Sequence, residues 1–176
     1  MHGGADLKLL YPDHSFHRIE EIPTSFFTQR GIRALLLDVD NTLTGDNSQE
    51  VSDAVITWLE QQRTAGLRLF VLSNNKEARV APFAEKLGLG YISDAKKPGT
   101  RHVRERLLTF GVTPAETAVI GDQLFTDILC GNRSGCTTVL VEPYALENYG
   151  LYRIKRLLEK PILKRYRRMK ESEKRI

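Results

Sequence analysis

The stretch LLLDVDNTLT, residues 35 to 44, joins three leucines to two aspartates one residue apart, which are followed directly by Asn41 and Thr42. An ionised carboxylate that moves from water into an apolar interior costs several kcal/mol unless it is paired or binds a metal. One aspartate at the end of a buried strand is an ordinary turn residue, but two of them need a partner. We therefore predict that this strand ends at a charged binding site.

Short apolar runs alternate with helical patterns on both sides of this stretch. The predicted strands are RALLLDV (33–39), LRLFVLS (67–73), YIS (91–93), TAVIG (117–121) and TTVLVE (137–142). Helices are predicted at 51–66, with Ser52 as the N-cap, at 76–90 despite Pro82, at 98–111 and at 124–135. Continuous apolar strands that alternate with helices indicate an α/β fold, a three-layer doubly wound parallel sheet.

The chain of 176 residues suits one domain of this kind, and its charge is unevenly distributed. The net charge is +4, yet 11 Lys and Arg stand against 3 Glu from Arg153 onward. We predict one α/β domain at residues 1–150, which includes the N-terminal segment, and a basic helical tail at 151–176, which Pro161 should break or kink. Cys130 and Cys136 are expected to be small buried residues. No secretory or membrane-spanning segment is recognised, so a cytoplasmic location is expected.

Polar side chains follow three of the predicted strands. They are Asp38 and Asp40, then Ser73 and Asn74, then Asp122, with Lys97 in a loop on the same side and Asp127 one helical turn after Asp122. Ligands of open α/β sheets bind in the crevice outside the carboxyl ends of the strands. These residues should therefore form a single site.

Carboxylates gathered at one edge repel each other unless a cation lies between them. Oxygen ligands favour Mg²⁺, which binds through one or two carboxylates and a substrate phosphate. A hydroxyl from Ser73 and an ammonium from Lys97 would then serve a phosphoryl group. Aspartate is also a recognised nucleophile for phosphoryl transfer. The residues alone thus indicate Mg²⁺-dependent phosphoryl chemistry.

Four segments resemble, in order and spacing, the four motifs of the haloacid dehalogenase (HAD) superfamily. They are DVDNTL (38–43), LSNN (72–75), KKP (96–98) and GDQLFTD (121–127). The resemblance implies Asp38 as nucleophile and Asp40 as general acid and base. It also implies phosphoryl contacts from Ser73, Asn74 and Lys97. Mg²⁺ would be held by Asp38, the Asp40 carbonyl and Asp122, and Asp127 would bind it directly, through water, or orient Lys97.

A narrower resemblance, which extends into the N-terminal segment, is to subfamily IIIA and its YqeG-like group, which includes the mitochondrial phosphatidylglycerophosphate phosphatase. It implies phosphatidylglycerophosphate as substrate. The segments between the motifs are too short for a cap domain, which suits a bulky substrate such as a lipid headgroup. Two alternatives stay open: a phosphatase for a nucleotide, sugar phosphate or phosphoprotein, and a non-catalytic protein that binds RNA or a ribosome.

The tail mixes apolar and basic residues, as in LYRIKRLLEKPILKRYRRMK (151–170). Basic clusters are attracted to anionic lipid, so peripheral contact with the inner face of a membrane is one expectation, and a solvated helix is the other. The tail shows no aromatic stacking pattern, which makes nucleic acid an unlikely partner. Arg79 either faces the crevice or occupies a solvated helix position, and the solvated position is the expectation. Asn132 either orients the loop around Asp122 or serves helix packing.

Overall fold

Six parallel strands form one sheet in the computed structural model, which describes residues 7–45, 50–144 and 150–173. The strands are β1 (His14–Phe16), β2 (Ala34–Leu37), β3 (Arg68–Leu72), β4 (Gly90–Ile92), β5 (Thr117–Gly121) and β6 (Thr137–Val141). Their spatial order is β1-β6-β5-β2-β3-β4. The predicted α/β fold with a parallel sheet is confirmed, and β1, which pairs with β6, is an additional strand that the sequence did not reveal.

Helices connect the strands and cover both faces of the sheet. They are α1 (Thr24–Thr28), α2 (Asp53–Thr64), α3 (Glu77–Lys86), α4 (Arg101–Phe110), α5 (Leu129–Ser134) and α6 (Gly150–Glu173), with a π-helical turn at Leu124–Ile128 that leads into α5. Helix α2 begins as predicted, because the Ser52 hydroxyl accepts a hydrogen bond of 3.3 Å from the Val55 amide. Helix α3 contains Pro82 near its middle, so the proline does not end the helix.

The strand residues of β2 are buried on both sides of the sheet. Leu35 and Leu37 pack with α2, α3 and the N-terminal segment on one face, whereas Ala34 and Leu36 pack with α4 on the other. Burial of one leucine side chain contributes about 1.5–3 kcal/mol. The predicted buried cysteines lie in or beside the second layer, where burial raises the pKa of Cys130 to about 11. The strand ends are therefore held by packing from two directions.

Helix α6 continues through Pro161, so the predicted break in the tail is wrong. Proline is exposed at that position, while Ile162 and Leu163 pack against a small apolar cluster and Tyr166 is buried. This packing supports the helix on the C-terminal side of the proline, where one backbone hydrogen bond is missing. Residues 174–176 of the predicted tail lie outside the described residues. Within the described chain, no helix is both long enough and apolar enough to cross a membrane.

The chain reverses direction in the sheet between β2 and β5. From β2 it proceeds outward through β3 to β4, and then returns to the other side of β2. Such a switch point opens a crevice at the carboxyl ends of the two strands. Among the described residues, β2 and β3 are linked by α2, and β3 and β4 by α3, so no cap domain covers the crevice.

Candidate active site

Asp38 and Asp122 lie at this switch point, one residue after β2 and β5 respectively. The two strands are in register, with Leu37 opposite Ile120, and the Asp38 amide donates a hydrogen bond of 2.9 Å to the Ile120 carbonyl. Regular strand pairing therefore continues to the first aspartate. The structure brings these two residues together, as the sequence pattern predicts.

Lys97 is the buried cation of the site. Its ammonium group donates to Asp38 Oδ1 at 2.5 Å, to Asp127 Oδ1 at 2.6 Å and to the Leu72 carbonyl at 3.0 Å. Its side chain is only 4% exposed. Burial alone would lower the pKa of Lys97, but the charges of Asp127 and Asp38 outweigh that effect and raise it. Lys97 is therefore a fixed positive charge beside the predicted nucleophile.

The buried aspartates resist ionisation when no metal is present. Burial, reinforced by the charge of Asp127 and opposed by Lys97, raises the pKa of Asp38 to about 7. Burial also raises the pKa of Asp122 well above its usual value, although Arg156 opposes this. A cation bound beside these carboxylates would favour their ionised forms and so lower their pKa values.

The donor set fits a hard divalent cation. Asp38, Asp122 and Asp127 each offer a carboxylate oxygen, and these oxygens lie within 4.8 Å of one another. Asp122 Oδ1 is buried and has no hydrogen-bond partner among the described residues. An orphaned carboxylate oxygen of this kind is costly unless an ion or water satisfies it. All-oxygen donors of this type suit Mg²⁺.

Asp40 is held at the rim by Arg79 and Asn75, neither of which was assigned a contact with it from the sequence. Arg79 Nη2 donates to Asp40 Oδ1 at 2.9 Å, and Asn75 Nδ2 donates to Asp40 Oδ2 at 3.2 Å. Of the two alternatives for Arg79, the crevice-facing one is therefore correct and the expected solvated position is wrong, because the start of α3 faces the crevice. Its position in the first turn of a helix that follows β3 was the signal available in the sequence.

Ser73 and Asn74 follow β3 and shape the loop that contains Lys97. The buried Ser73 hydroxyl accepts a hydrogen bond of 3.1 Å from the Asn75 amide. The Asn74 side chain accepts from the Lys97 amide at 2.6 Å and donates to the Lys97 carbonyl at 3.1 Å. Asn74 thus fixes the backbone of the buried lysine. The phosphate contacts of Ser73 and Asn74 stay predictions.

Asp127 lies on the π-helical turn that precedes α5. Its Oδ2 accepts from the Gln123 amide at 3.2 Å, while Oδ1 accepts from Lys97. A side chain at position 121 would collide with Asp127, which explains the glycine at the end of β5. The structure therefore places Asp127 where it orients Lys97, one of the three roles that the resemblance left open.

Two residues of α6 also reach this edge of the sheet. Arg156 contacts the carboxylate and the backbone carbonyl of Asp122, and Glu159 accepts a hydrogen bond from the Leu124 amide. These contacts could not be predicted from the sequence, since both residues look like ordinary members of a charged helix. Asn132, by contrast, donates to the carbonyls of Leu9 and Tyr11 and so anchors the N-terminal segment.

The fold and this acidic rim define a phosphatase of the haloacid dehalogenase superfamily. A comparison with family models agrees with that class. The chain belongs to the family described as mitochondrial PGP phosphatase, whose model matches residues 5–144. The class is an enzyme, which disfavours the alternative of a non-catalytic RNA- or ribosome-binding protein.

Two curated relatives share most of this chain. It is 33% identical over 161 residues to the probable phosphatase YqeG of Bacillus subtilis (strain 168), covering 92% of this chain and 94% of the relative. It is 30% identical to phosphatidylglycerophosphate phosphatase 1, chloroplastic/mitochondrial, of Arabidopsis thaliana, covering 93% of this chain but only 50% of the relative. This chain therefore corresponds to about half of the plant protein.

Solved structures resemble the fold. An uncharacterised protein from Listeria monocytogenes serotype 4b superposes with a TM-score of 0.55 and 14% identity, covering 68% of this chain and 86% of that one. The cobalt-bound deoxy-D-mannose-octulosonate 8-phosphate phosphatase (YrbI) from Haemophilus influenzae gives a TM-score of 0.52 at 19% identity, covering 64% and 69%. At these identities the likeness extends to the fold alone.

Proposed function

We propose that the protein hydrolyses a phosphomonoester through an aspartyl-phosphate on Asp38, with Mg²⁺ as cofactor and phosphatidylglycerophosphate as substrate. The observation that carries the chemistry is the buried Lys97 ammonium between Asp38 and Asp127. This ammonium offsets the negative charge of the carboxylates at the point where a phosphoryl group would add further negative charge.

In the proposed first step, a carboxylate oxygen of Asp38 attacks phosphorus and forms the acyl phosphate. The bond from phosphorus to the substrate oxygen breaks, and that oxygen takes a proton from Asp40. In the second step Asp40 removes a proton from water, and the water oxygen attacks the same phosphorus. The bond between phosphorus and the Asp38 oxygen breaks, which releases inorganic phosphate and restores the Asp38 carboxylate. Arg79 and Asn75 support this assignment because they hold the Asp40 side chain at the rim.

The donor set suggests which residues would hold the metal. Asp38 and Asp122 of this cluster are proposed ligands, together with the Asp40 carbonyl that the family resemblance implies, and Asp127 supports them through Lys97. When bound, Mg²⁺ would neutralise charge on the phosphoryl oxygens. Lys97 contributes a second positive charge beside Asp38, so the chain itself supplies part of the stabilisation.

The lipid substrate is supported by family membership and by the open crevice. The plant relative is named a phosphatidylglycerophosphate phosphatase. The described residues provide no cap above the strand ends, so a headgroup at a surface could reach the site. A nucleotide, a sugar phosphate or a phosphoprotein is the competing substrate class, and a substrate panel separates them.

Peripheral membrane contact through α6 completes the proposal. Ile154, Leu157 and Leu158 are adjacent on the helix and are 54–57% exposed. Arg165 and Arg168 are exposed further along the helix. Apolar side chains between basic residues suit the surface of an anionic bilayer, to which each basic residue contributes about 1 kcal/mol. The same helix contacts Asp122 through Arg156, which would place the membrane near the crevice.

The chemistry is tested with Asp38→Asn, which removes the nucleophilic carboxylate but preserves side-chain shape. Phosphate release from p-nitrophenyl phosphate in Mg²⁺ should fall at least about 10³-fold, whereas Asp53→Asn, an exposed aspartate on α2, should leave it unchanged. Wild-type protein that is quenched with acid during turnover should carry covalently bound phosphate that hydroxylamine releases. Turnover that survives the Asp38 change would refute the assigned nucleophile.

The substrate is tested by comparing phosphatidylglycerophosphate in mixed micelles with nucleotides and sugar phosphates at equal concentrations. We expect the lipid to give the highest kcat/KM, and a higher value for a water-soluble phosphate would contradict the proposed substrate.

Membrane contact is tested by sedimentation with vesicles that contain phosphatidylglycerol. Leu157→Gln with Leu158→Gln should weaken binding about 10- to 30-fold, at roughly 1 kcal/mol per leucine. Leu108→Gln, at an exposed leucine on α4, is the matched control and should bind like wild type.

A further inference from the structure

Helix α6 reaches the end of β5 with a single arginine. Arg156 Nη1 donates to the Asp122 carbonyl at 2.6 Å, and Nη2 donates to Asp122 Oδ2. The Arg156 side chain is only 15% exposed, and that of Asp122 is fully buried. The guanidinium therefore grips both the backbone and the side chain of one residue, 34 positions earlier in the chain.

This two-point contact fixes the orientation of the Asp122 carboxylate. A guanidinium is planar and presents its donors in a rigid fork, so it restricts rotation of the group that it binds. Because Oδ2 is engaged by Arg156, Oδ1 remains as a buried oxygen with no hydrogen-bond partner in the part of the chain that the structure describes. Asp122 also belongs to the cluster of three carboxylates within 4.8 Å. The arginine thus leaves one oxygen of Asp122 available to a cation.

A second contact from the same helix supports the first. Glu159 lies three residues after Arg156, on the same helix face, and is buried. Its Oε1 accepts from the Leu124 amide at 2.7 Å, and its Oε2 accepts from Arg156 Nη1 at 3.2 Å. The guanidinium is therefore shared between two carboxylates, which offsets its repulsion of a nearby cation. Arg156 and Glu159 together hold the turn that starts at Asp122.

We propose that Arg156 is a positioning residue for the metal: it orients Asp122 so that one carboxylate oxygen can bind the divalent cation. The C-terminal helix is then a part of the metal site rather than a separate tail. The inference rests on the proposed function only in requiring a divalent metal at Asp122, and it requires neither the aspartyl-phosphate nor the lipid substrate.

The experiment measures Mn²⁺ affinity without substrate, from the electron paramagnetic resonance signal of free Mn²⁺ during titration. Arg156→Gln should raise the Mn²⁺ dissociation constant by about 10- to 100-fold, the range that loss of an outer partner of a metal ligand produces. Arg156→Lys should bind Mn²⁺ with intermediate affinity, because lysine keeps the charge without the fork. Lys160→Gln, at an exposed position on the same helix, is the control and should match wild type.

Two further measurements separate positioning from damage to the fold. At saturating Mg²⁺ the kcat of Arg156→Gln should approach that of wild type, while the Mg²⁺ concentration for half-maximal activity rises by the same factor as the Mn²⁺ dissociation constant. If Arg156→Gln does not fold, Arg156→Lys alone decides the matter. Mn²⁺ binding that is unchanged or tighter in the folded variant would overturn the proposal. The two proposals can fail separately. If Arg156→Gln weakens Mn²⁺ binding but Asp38→Asn keeps its turnover, the metal role of Arg156 stands and only the proposed chemistry is rejected.

Discussion

The end of β5 packs against Asp127 so closely that a methyl group at Gly121 has no space. A Cβ at position 121 would lie 2.4 Å from Asp127 Cγ and 2.5 Å from Asp127 Cβ and Oδ2. Carbon atoms pack favourably at about 3.5–4.0 Å, so Gly121→Ala must displace Asp127 by roughly 1 Å. That displacement lengthens the 2.6 Å hydrogen bond from Lys97. We therefore predict that Gly121→Ala destabilises the protein through Asp127.

The loss in the free energy of unfolding has two sources, overpacking and a lost hydrogen bond. The more Asp127 moves, the smaller the first cost and the larger the second. If Asp127 stays in place, the overpacked methyl group costs about 1–3 kcal/mol. If Asp127 moves away, the lost hydrogen bond to a charged group costs about 1.5–3 kcal/mol. We expect a net loss of about 2–4 kcal/mol in the free energy of unfolding. For a chain of this size such a loss corresponds to a melting temperature about 5–15 °C lower.

A double-mutant cycle in urea, with metal-free protein, tests this reasoning. Asp127→Gly removes every side-chain atom that the new methyl group would meet. Gly121→Ala should then cost less than about 0.5 kcal/mol in the Asp127→Gly background, which gives a coupling energy of about 2 kcal/mol or more. The cost of placing a glycine at position 127 in the helical turn is the same with Gly121 and with Gly121→Ala, so it cancels in the cycle. An equal cost in the two backgrounds, or a negligible cost in wild type, would refute the proposed collision.

Two further predictions concern buried polar groups. Lys97→Met should lower the free energy of unfolding of the metal-free protein by about 3–5 kcal/mol, because it leaves buried carboxylates without their cation. Burial raises the folded-state pKa of Asp38 to about 7, so protonation should make this loss smaller at pH 5 than at pH 8 in urea titrations. Lys96→Met, at the exposed neighbour, should cost little, and a similar loss there would contradict the argument. Trp58→Phe should lower the free energy of unfolding by about 1–3 kcal/mol, because the buried Ile22 carbonyl loses a 2.7 Å hydrogen bond. Unfolding followed by circular dichroism measures this loss, and unchanged stability would show that water replaces the donor.

The sheet could be predicted because its strands are buried on both faces and appear as continuous apolar runs. β2 and β5 were recognised from such runs, and both ends fall within a few residues of the structure. β1 was not recognised, since His14–Phe16 is only three residues long and lacks such a run. Its strand conformation depends on pairing with β6, a contact over more than a hundred residues. Local pattern carries no information about such a partner.

The site was predictable to the extent that its residues follow strands. Asp38, Ser73 and Asp122 each come directly after a strand, so the topology alone brings them to one edge. Arg156 could not be found in this way, because helical periodicity does not specify which distant charge a side chain meets. The π-helical turn was equally hidden: the amides of Asp127 and Ile128 both donate to the Gln123 carbonyl, whereas the sequence pattern predicts an ordinary α-helix.

The carboxylates of the rim are chemically alike, and the structure distinguishes them by their partners. Lys97 binds Asp38, and Arg79 binds Asp40. Arg156 binds Asp122. A buried cation beside Asp38 favours its ionised form, which the proposed nucleophilic role requires, whereas Asp40 lies partly exposed at the rim. We infer that the division of labour among the aspartates is set by these three cations, which come from three different elements of the fold.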